Sequence, residues 1–183
     1  MTVKHTQRYI AFLRGINVGG HHKVQMVDLK KEMKNMGFEN VITLLNSGNT
    51  IFESSNKQIG KLEELIANKL EKKFGFSIPT IVILADTIEE MFKEEPFQKV
   101  ELTKDTRFYV TFLKKNTNPD LALPWVDDTL AFSILEVRER MVLSVLDISV
   151  SKTPKAMKVL AQFFGKDITT RTWKTIARIV KKL

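Results

Sequence analysis

The residues best suited to chemistry lie in two short segments. Arg14, Gly15, Asn17, Gly19, Gly20 and Lys23 share the run RGINVGGHHK, and Asn46, Ser47, Gly48 and Asn49 form the run NSGN. An arginine offers a planar fork of donors and a lysine a mobile cation, both matched to carboxylate or phosphate. Asparagine and serine donate and accept, and a glycine lets the backbone approach a ligand closely. Together these groups suit a small phosphorylated or carboxylated ligand. The spacing is not that of a nucleotide P-loop or a dinucleotide fingerprint, since neither Gly-Lys-Ser/Thr nor G-x-G-x-x-G occurs. The same glycines and asparagines also serve tight turns.

Other chemistry is thinly represented. His21 and His22 are adjacent in a loop with no acidic cluster nearby, and the chain has 3 histidines, so no metal or cofactor is expected. Ser47 has no evident base and orienting partner to make it a nucleophile. The pairs Glu63-Glu64, Glu89-Glu90, Glu94-Glu95 and Asp127-Asp128 are neighbours along the chain. Adjacent helix residues do not face one another, so these read as solvated or capping acids. Trp125 and Trp173 read as core anchors.

The positioning elements follow from periodicity and punctuation. Arg8–Leu13 is an apolar, β-rich run of the kind found in buried central strands. Met26, Leu29, Met33 and Met36 recur at helical spacing and Gly37 is placed to end that helix. Val41–Leu45 and Thr50–Phe52 flank the NSGN turn. Asn56 is set to cap a helix carrying Ile59, Leu62, Ile66, Leu70 and Phe74 and ending at Gly75. Ile78–Leu84 is a strand, and Asp86-Thr87-Ile88-Glu89 opens a short helix that stops near Pro96. The polar segment Phe97–Asp105 reads as a linker.

The order then recurs. Phe108–Leu113 is a strand. Asn118-Pro119 starts a short helix interrupted at Pro124. Leu130–Val137 and Met141–Ile148 flank a charged turn, Arg138-Glu139-Arg140. Thr153-Pro154 starts a helix ending at Gly165, and Thr169 caps a last helix running to Lys182. The expected fold is α+β: two consecutive βαββα ferredoxin-like (α/β-plait) halves with antiparallel-containing sheets, at residues 1–96 and 106–183. In such a unit the end of the first strand and the turn between the second and third lie at one sheet edge. That places RGINVGGHHK beside NSGN, with the first helix opening toward both.

Charge gives a second candidate surface. The chain carries +8, and residues 152–183 hold all of that excess, with nine basic residues against one acid, Asp167. On the expected last helix Arg171, Lys174, Arg178 and Lys181 form one stripe opposite Trp173, Ile176, Ala177 and Val180. Such a stripe faces anions, and nucleic acid is the alternative partner. A third reading is a protein-interaction module using an open sheet edge. No apolar run approaches the roughly 20 residues of a bilayer span. The run Tyr9–Leu13 is short for a signal-peptide core. With 0 cysteines there are no disulfides or thiolate ligands, which fits a cytoplasmic protein.

The run Tyr9-Ile10-Ala11-Phe12-Leu13-Arg14-Gly15-Ile16-Asn17-Val18-Gly19-Gly20, followed by Lys23-Val24, Met26 and Asn46-Ser47-Gly48-Asn49, resembles the bacterial family catalogued as domain of unknown function 1697. The segment Thr169-Thr170-Arg171-Thr172-Trp173 resembles that family's C-terminal Thr-x-Arg-Asn-Trp signature, with Thr172 in place of asparagine. The resemblance extends over nearly the whole chain. It implies a duplicated α/β-plait-like fold and no particular activity.

Overall fold

The structure is a computed structural model and describes residues 5–183. The first four residues of the expected first half lie outside it. The described chain is α+β, with a 4-stranded and a 5-stranded sheet, each of antiparallel neighbours. It divides into two compact units: one runs to Glu90 and includes Ile179–Leu183, the other is Met91–Arg178.

The first unit runs β1 (Gln7–Leu13), α1 (Met26–Asn35), β2 (Glu39–Leu44), β3 (Asn49–Ser54), α2 (Ile59–Phe74) and β4 (Thr80–Leu84), with α3 (Ala85–Lys93) after it. The strand order is β2-β3-β1-β4. β1 and β2 therefore run parallel with β3 between them. The uninterrupted apolar run of β1 is explained by its place: Tyr9, Ala11 and Leu13 join the core under the helices, and Ile10 and Phe12, on the other face, are buried as well. Helix α2 buries Leu62, Ile66 and Leu70 against that core. Each such side chain contributes about 1.5–3 kcal/mol. The helix closes at Gly75, whose φ of 81° is left-handed and whose N–H returns to the Glu71 carbonyl. Asn56 lies before the helix, and its Oδ1 accepts the Gln58 N–H at 2.9 Å.

One of the acids expected in solvent is inside. Glu63 is buried on α2, and its Oε1 accepts the Val82 N–H at 2.9 Å. β4 is an edge strand, so half of its N–H groups point away from the sheet. A carboxylate from the overlying helix satisfies one of them, a role that helical spacing alone does not reveal.

The second unit contains β5 (Thr106–Leu113), β6 (Trp125–Val126), β7 (Phe132–Arg138), β8 (Met141–Asp147), α4 (Thr153–Phe164), β9 (Ile168–Thr172) and, as far as Arg178, α5 (Trp173–Val180). Its strand order is β6-β7-β8-β5-β9. The β7–β8 hairpin holds the place in this sheet that β2–β3 holds in the other. Hydrogen bonds repeat as well. The Leu13 N–H donates to the Gly48 carbonyl at 2.8 Å, and the Leu113 N–H to that of Arg140 at 2.8 Å. The Arg14 N–H donates to the Pro79 carbonyl at 2.9 Å, and the Lys114 N–H to that of Asp167 at 2.9 Å.

The segment after β5 forms no helix at Asn118-Pro119: residues 114–124 are irregular and lead to the two-residue edge strand β6. Two prolines close together and no helical apolar stripe leave nothing to hold a helix. Residues 168–172 form β9, paired with β5, where a helix was expected from Thr169. Ile-Thr-Thr-Arg-Thr is rich in β-branched residues, and that preference prevails beside an open strand. The expected linker belongs to the second unit, with Phe97 buried and stacked on Phe108 at 4.6 Å between ring centres.

Asp127, expected in solvent, is also buried. Its Oδ1 accepts the N–H groups of Ala131 at 2.9 Å and Phe132 at 3.0 Å, and its Oδ2 accepts the Thr129 hydroxyl at 2.7 Å. It ties the β6–β7 turn. Burial pushes this carboxyl up, but the bonds from Phe132, Thr129 and Ala131 outweigh it and hold the group below its ordinary value.

Candidate functional site

β1 delivers Arg14 to the sheet edge at which the β2–β3 turn also lies. Asn17 joins the two segments. Its Oδ1 accepts the Val24 N–H at 2.9 Å, and its Nδ2 donates to the carbonyls of Val24 at 2.9 Å and Asn46 at 2.8 Å. The residue sits at φ 55°, a left-handed conformation that asparagine tolerates. Its amide therefore closes the RGINVGGHHK loop on itself and fastens it to the turn.

The turn is built with equal economy. Asn49 is buried, and its Nδ2 donates to the Leu44 carbonyl at 3.0 Å and the Ser47 hydroxyl at 3.1 Å. Gly48 has φ 74°, and a Cβ there would lie 2.8 Å from the Leu13 Cβ and 2.7 Å from the Ile16 Cδ1. Backbone conformation and close packing both require glycine at this position. Asn17, Gly48 and Asn49 thus build the edge, the last two from buried positions.

Arg14, Gly15, Gly19, Gly20, Lys23, Asn46 and Ser47 are exposed around this scaffold. A Cβ at Gly15 or Gly20 would meet nothing within 4 Å, so the backbone there is open to close approach. His22 is held at the base of the loop, stacked on Phe76 at 4.3 Å and with Nδ1 3.2 Å from the Gly15 carbonyl. α1 opens two residues beyond Val24, and Gln25 at its N-cap makes no side-chain capping bond. Its first-turn N–H groups have no intrahelical acceptor. Among the described residues no group of three or more His, Cys, Asp or Glu could hold a metal ion.

The basic C-terminal surface is rearranged. Arg171 belongs to β9 and is buried, so the expected four-cation helix stripe loses one member. Its Nη1 donates to the Thr169 hydroxyl at 2.8 Å and the Thr170 carbonyl at 3.0 Å, and burial pushes the guanidinium down to about 10. Lys174 and Arg178 are exposed on α5, and Lys181 is exposed just beyond its end. Thr172 accepts the Thr175 N–H at 3.3 Å and is the N-cap of α5. Asparagine caps equally well.

The structure also brings together residues that nothing in the sequence groups. Phe92, Phe97, Phe108 and Trp173 line a cavity of about 990 Å³ within the second unit. They are scattered in sequence and share no periodic pattern. Only β9, which turns the chain back beside β5, brings Trp173 to the other rings.

A model of the family described as protein of unknown function (DUF1697) matches residues 6–139. The chain belongs to this family. The match takes in both segments of the DUF1697 edge, while the Thr169–Trp173 signature lies beyond it. The DUF1697 chain is similar over its length to the solved structure of the conserved bacterial protein SP0830 from Streptococcus pneumoniae. The two are 25% identical, with a TM-score of 0.74, covering 98% of this chain and 99% of that one. No curated protein matches the sequence. Among the described residues no helix is long and apolar enough to cross a membrane.

Proposed function

We propose that this protein binds a small phosphorylated or carboxylated ligand at the glycine-rich edge of its first unit. The observation that carries the reading is a comparison between the two units. Both make the same bonds from the end of the first strand to the hairpin turn and to the residue before the last strand. The second does so with no glycine-rich loop, passing instead through Lys114-Lys115-Asn116. The strand-end bonds alone therefore do not require RGINVGGHHK, which supports a further role for the loop. Exposed Arg14 and Lys23 at its two ends, its open glycine backbone and the start of α1 all favour an anion. The paired bonds and common strand order also support reading the two units as copies of one ferredoxin-like unit, the second without its first helix.

The test is titration with inorganic phosphate and pyrophosphate, then with a panel of phosphorylated and carboxylated metabolites, followed by amide chemical shifts. Shifts should centre on residues 14–23 and 46–48. Arg14→Ala should weaken binding by about 1.5–3 kcal/mol, the scale of a hydrogen bond to a charged group. Binding that ignores both Arg14→Ala and Lys23→Ala overturns the proposal.

A further inference from the structure

The 990 Å³ cavity of the second unit lies at the upper end of the roughly 300–1,000 Å³ typical of small-molecule sites. It is not part of that unit's core. The core packs Tyr109, Leu113, Phe132, Ile134 and Leu160 together, on the α4 side of the sheet. Phe108 precedes Tyr109 on β5 and so faces the opposite side.

Four aromatic rings make one wall. Trp173 stacks on Phe92 at 4.9 Å and meets Phe97 edge-on at 5.0 Å, and Phe97 stacks on Phe108 at 4.6 Å. Phe92, Phe108 and Trp173 stay half-buried, and Leu102, also on the lining, is 73% exposed. Partly open rings held in fixed mutual geometry are a surface for offset or edge-on stacking of another ring.

Charge is distributed unevenly around this wall. Arg107 and Lys174 both contribute to the lining, against one acid, Glu95. Arg107 is held in place because its Nη1 donates to the carbonyls of Lys104 at 2.8 Å and Thr106 at 2.9 Å. Lys174 follows Trp173 directly and is exposed. A cation next to an aromatic platform matches a guest with both a ring and a negative group.

We propose that this cavity binds a planar aromatic molecule carrying a carboxylate, sulfonate or phosphate, with the ring against Phe92 and Trp173 and the anion toward Lys174 and Arg107. The site is separate from the glycine-rich edge and stands whether or not that edge binds an anion.

The full chain is titrated with naphthalene-2-sulfonate and with neutral naphthalene-2-methanol, followed by the Trp173 indole N–H and backbone amide shifts. Saturable binding of both is expected, with shifts centred on Phe92, Phe97, Phe108 and Trp173. The sulfonate should bind at least about fivefold more tightly, the scale of a charge-assisted contact at a partly exposed site. Lys174→Glu, at an exposed position that the fold does not depend on, should abolish that preference and leave the neutral compound within about twofold. Failure of either compound to saturate, shifts centred elsewhere, equal affinity for the two compounds, or a preference unaltered by Lys174→Glu would each overturn the proposal.

Discussion

Asn17 shows how one side chain can decide a loop. Three hydrogen bonds at 2.8–2.9 Å employ both ends of its amide, two within the loop and one to the neighbouring turn. Asn17→Ala should therefore cost about 1–3 kcal/mol, because the Val24 N–H and the carbonyls it serves lose partners at a half-buried site. Urea denaturation measures the loss. Asn17→Asp keeps the acceptor for Val24 and gives up both donations, and its midpoint should fall between wild type and Ala. A ligand site at this edge requires the loop in place, so anion binding should weaken in step with the loop's ordering. From sequence, Asn17 and Asn49 read as donors and acceptors for a ligand, because their type is visible and their partners are not. Glu63 and Asp127 read as solvated for the same reason: a carboxylate that accepts from a distant backbone leaves no local trace.

At the scale of elements, most helices and strands were legible, and the departures have common causes. The helix stripes of α1, α2 and α4 and the stops at Gly75 and Gly165 stand where periodicity places them. β9 was hidden because five residues cannot display a period, and its pairing with β5 spans more than fifty residues. With β9 in place the helix cap passes from Thr169 to Thr172. Thr172→Ala should cost about 0.5–2 kcal/mol and Thr172→Asn close to nothing, as read from thermal melts. The β6–β7 turn depends on Asp127 in the same manner. Its carboxyl is held below the ordinary aspartate value, so the folded state binds fewer protons than the unfolded one as pH falls through that range. Its stabilisation is complete above the ordinary value and is lost as pH drops through the depressed one. Asp127→Ala should lower stability at neutral pH and flatten that part of the acid limb when denaturant midpoints are followed from pH 7 to pH 2.

For the whole molecule the decisive quantity is where charge resides. The +8 excess lies in residues 152–183, but burial of Arg171 removes one of four expected phosphate contacts. Exposed Lys174, Arg178 and Lys181 would together release about three counterions from a duplex. A short DNA titration at several ionic strengths should thus show weak binding with a log–log slope near −0.9 per contact, no steeper than roughly −3. A steeper slope would mean that other basic residues, such as Lys152, Lys155 or Lys166, take part. What the sequence determined by itself was local and additive: the α+β class, the apolar stripes, the glycine stops, the two segments that meet at one edge, and the family. Each follows from side-chain period and backbone preference within a dozen residues, or from a topology with few alternatives. Tertiary structure decided which polar groups face inward, which short segment becomes an edge strand, and which four distant rings share a wall. Those outcomes depend on pairings between residues far apart in the chain, where local preference is outweighed by burial and by the need of each buried N–H for an acceptor.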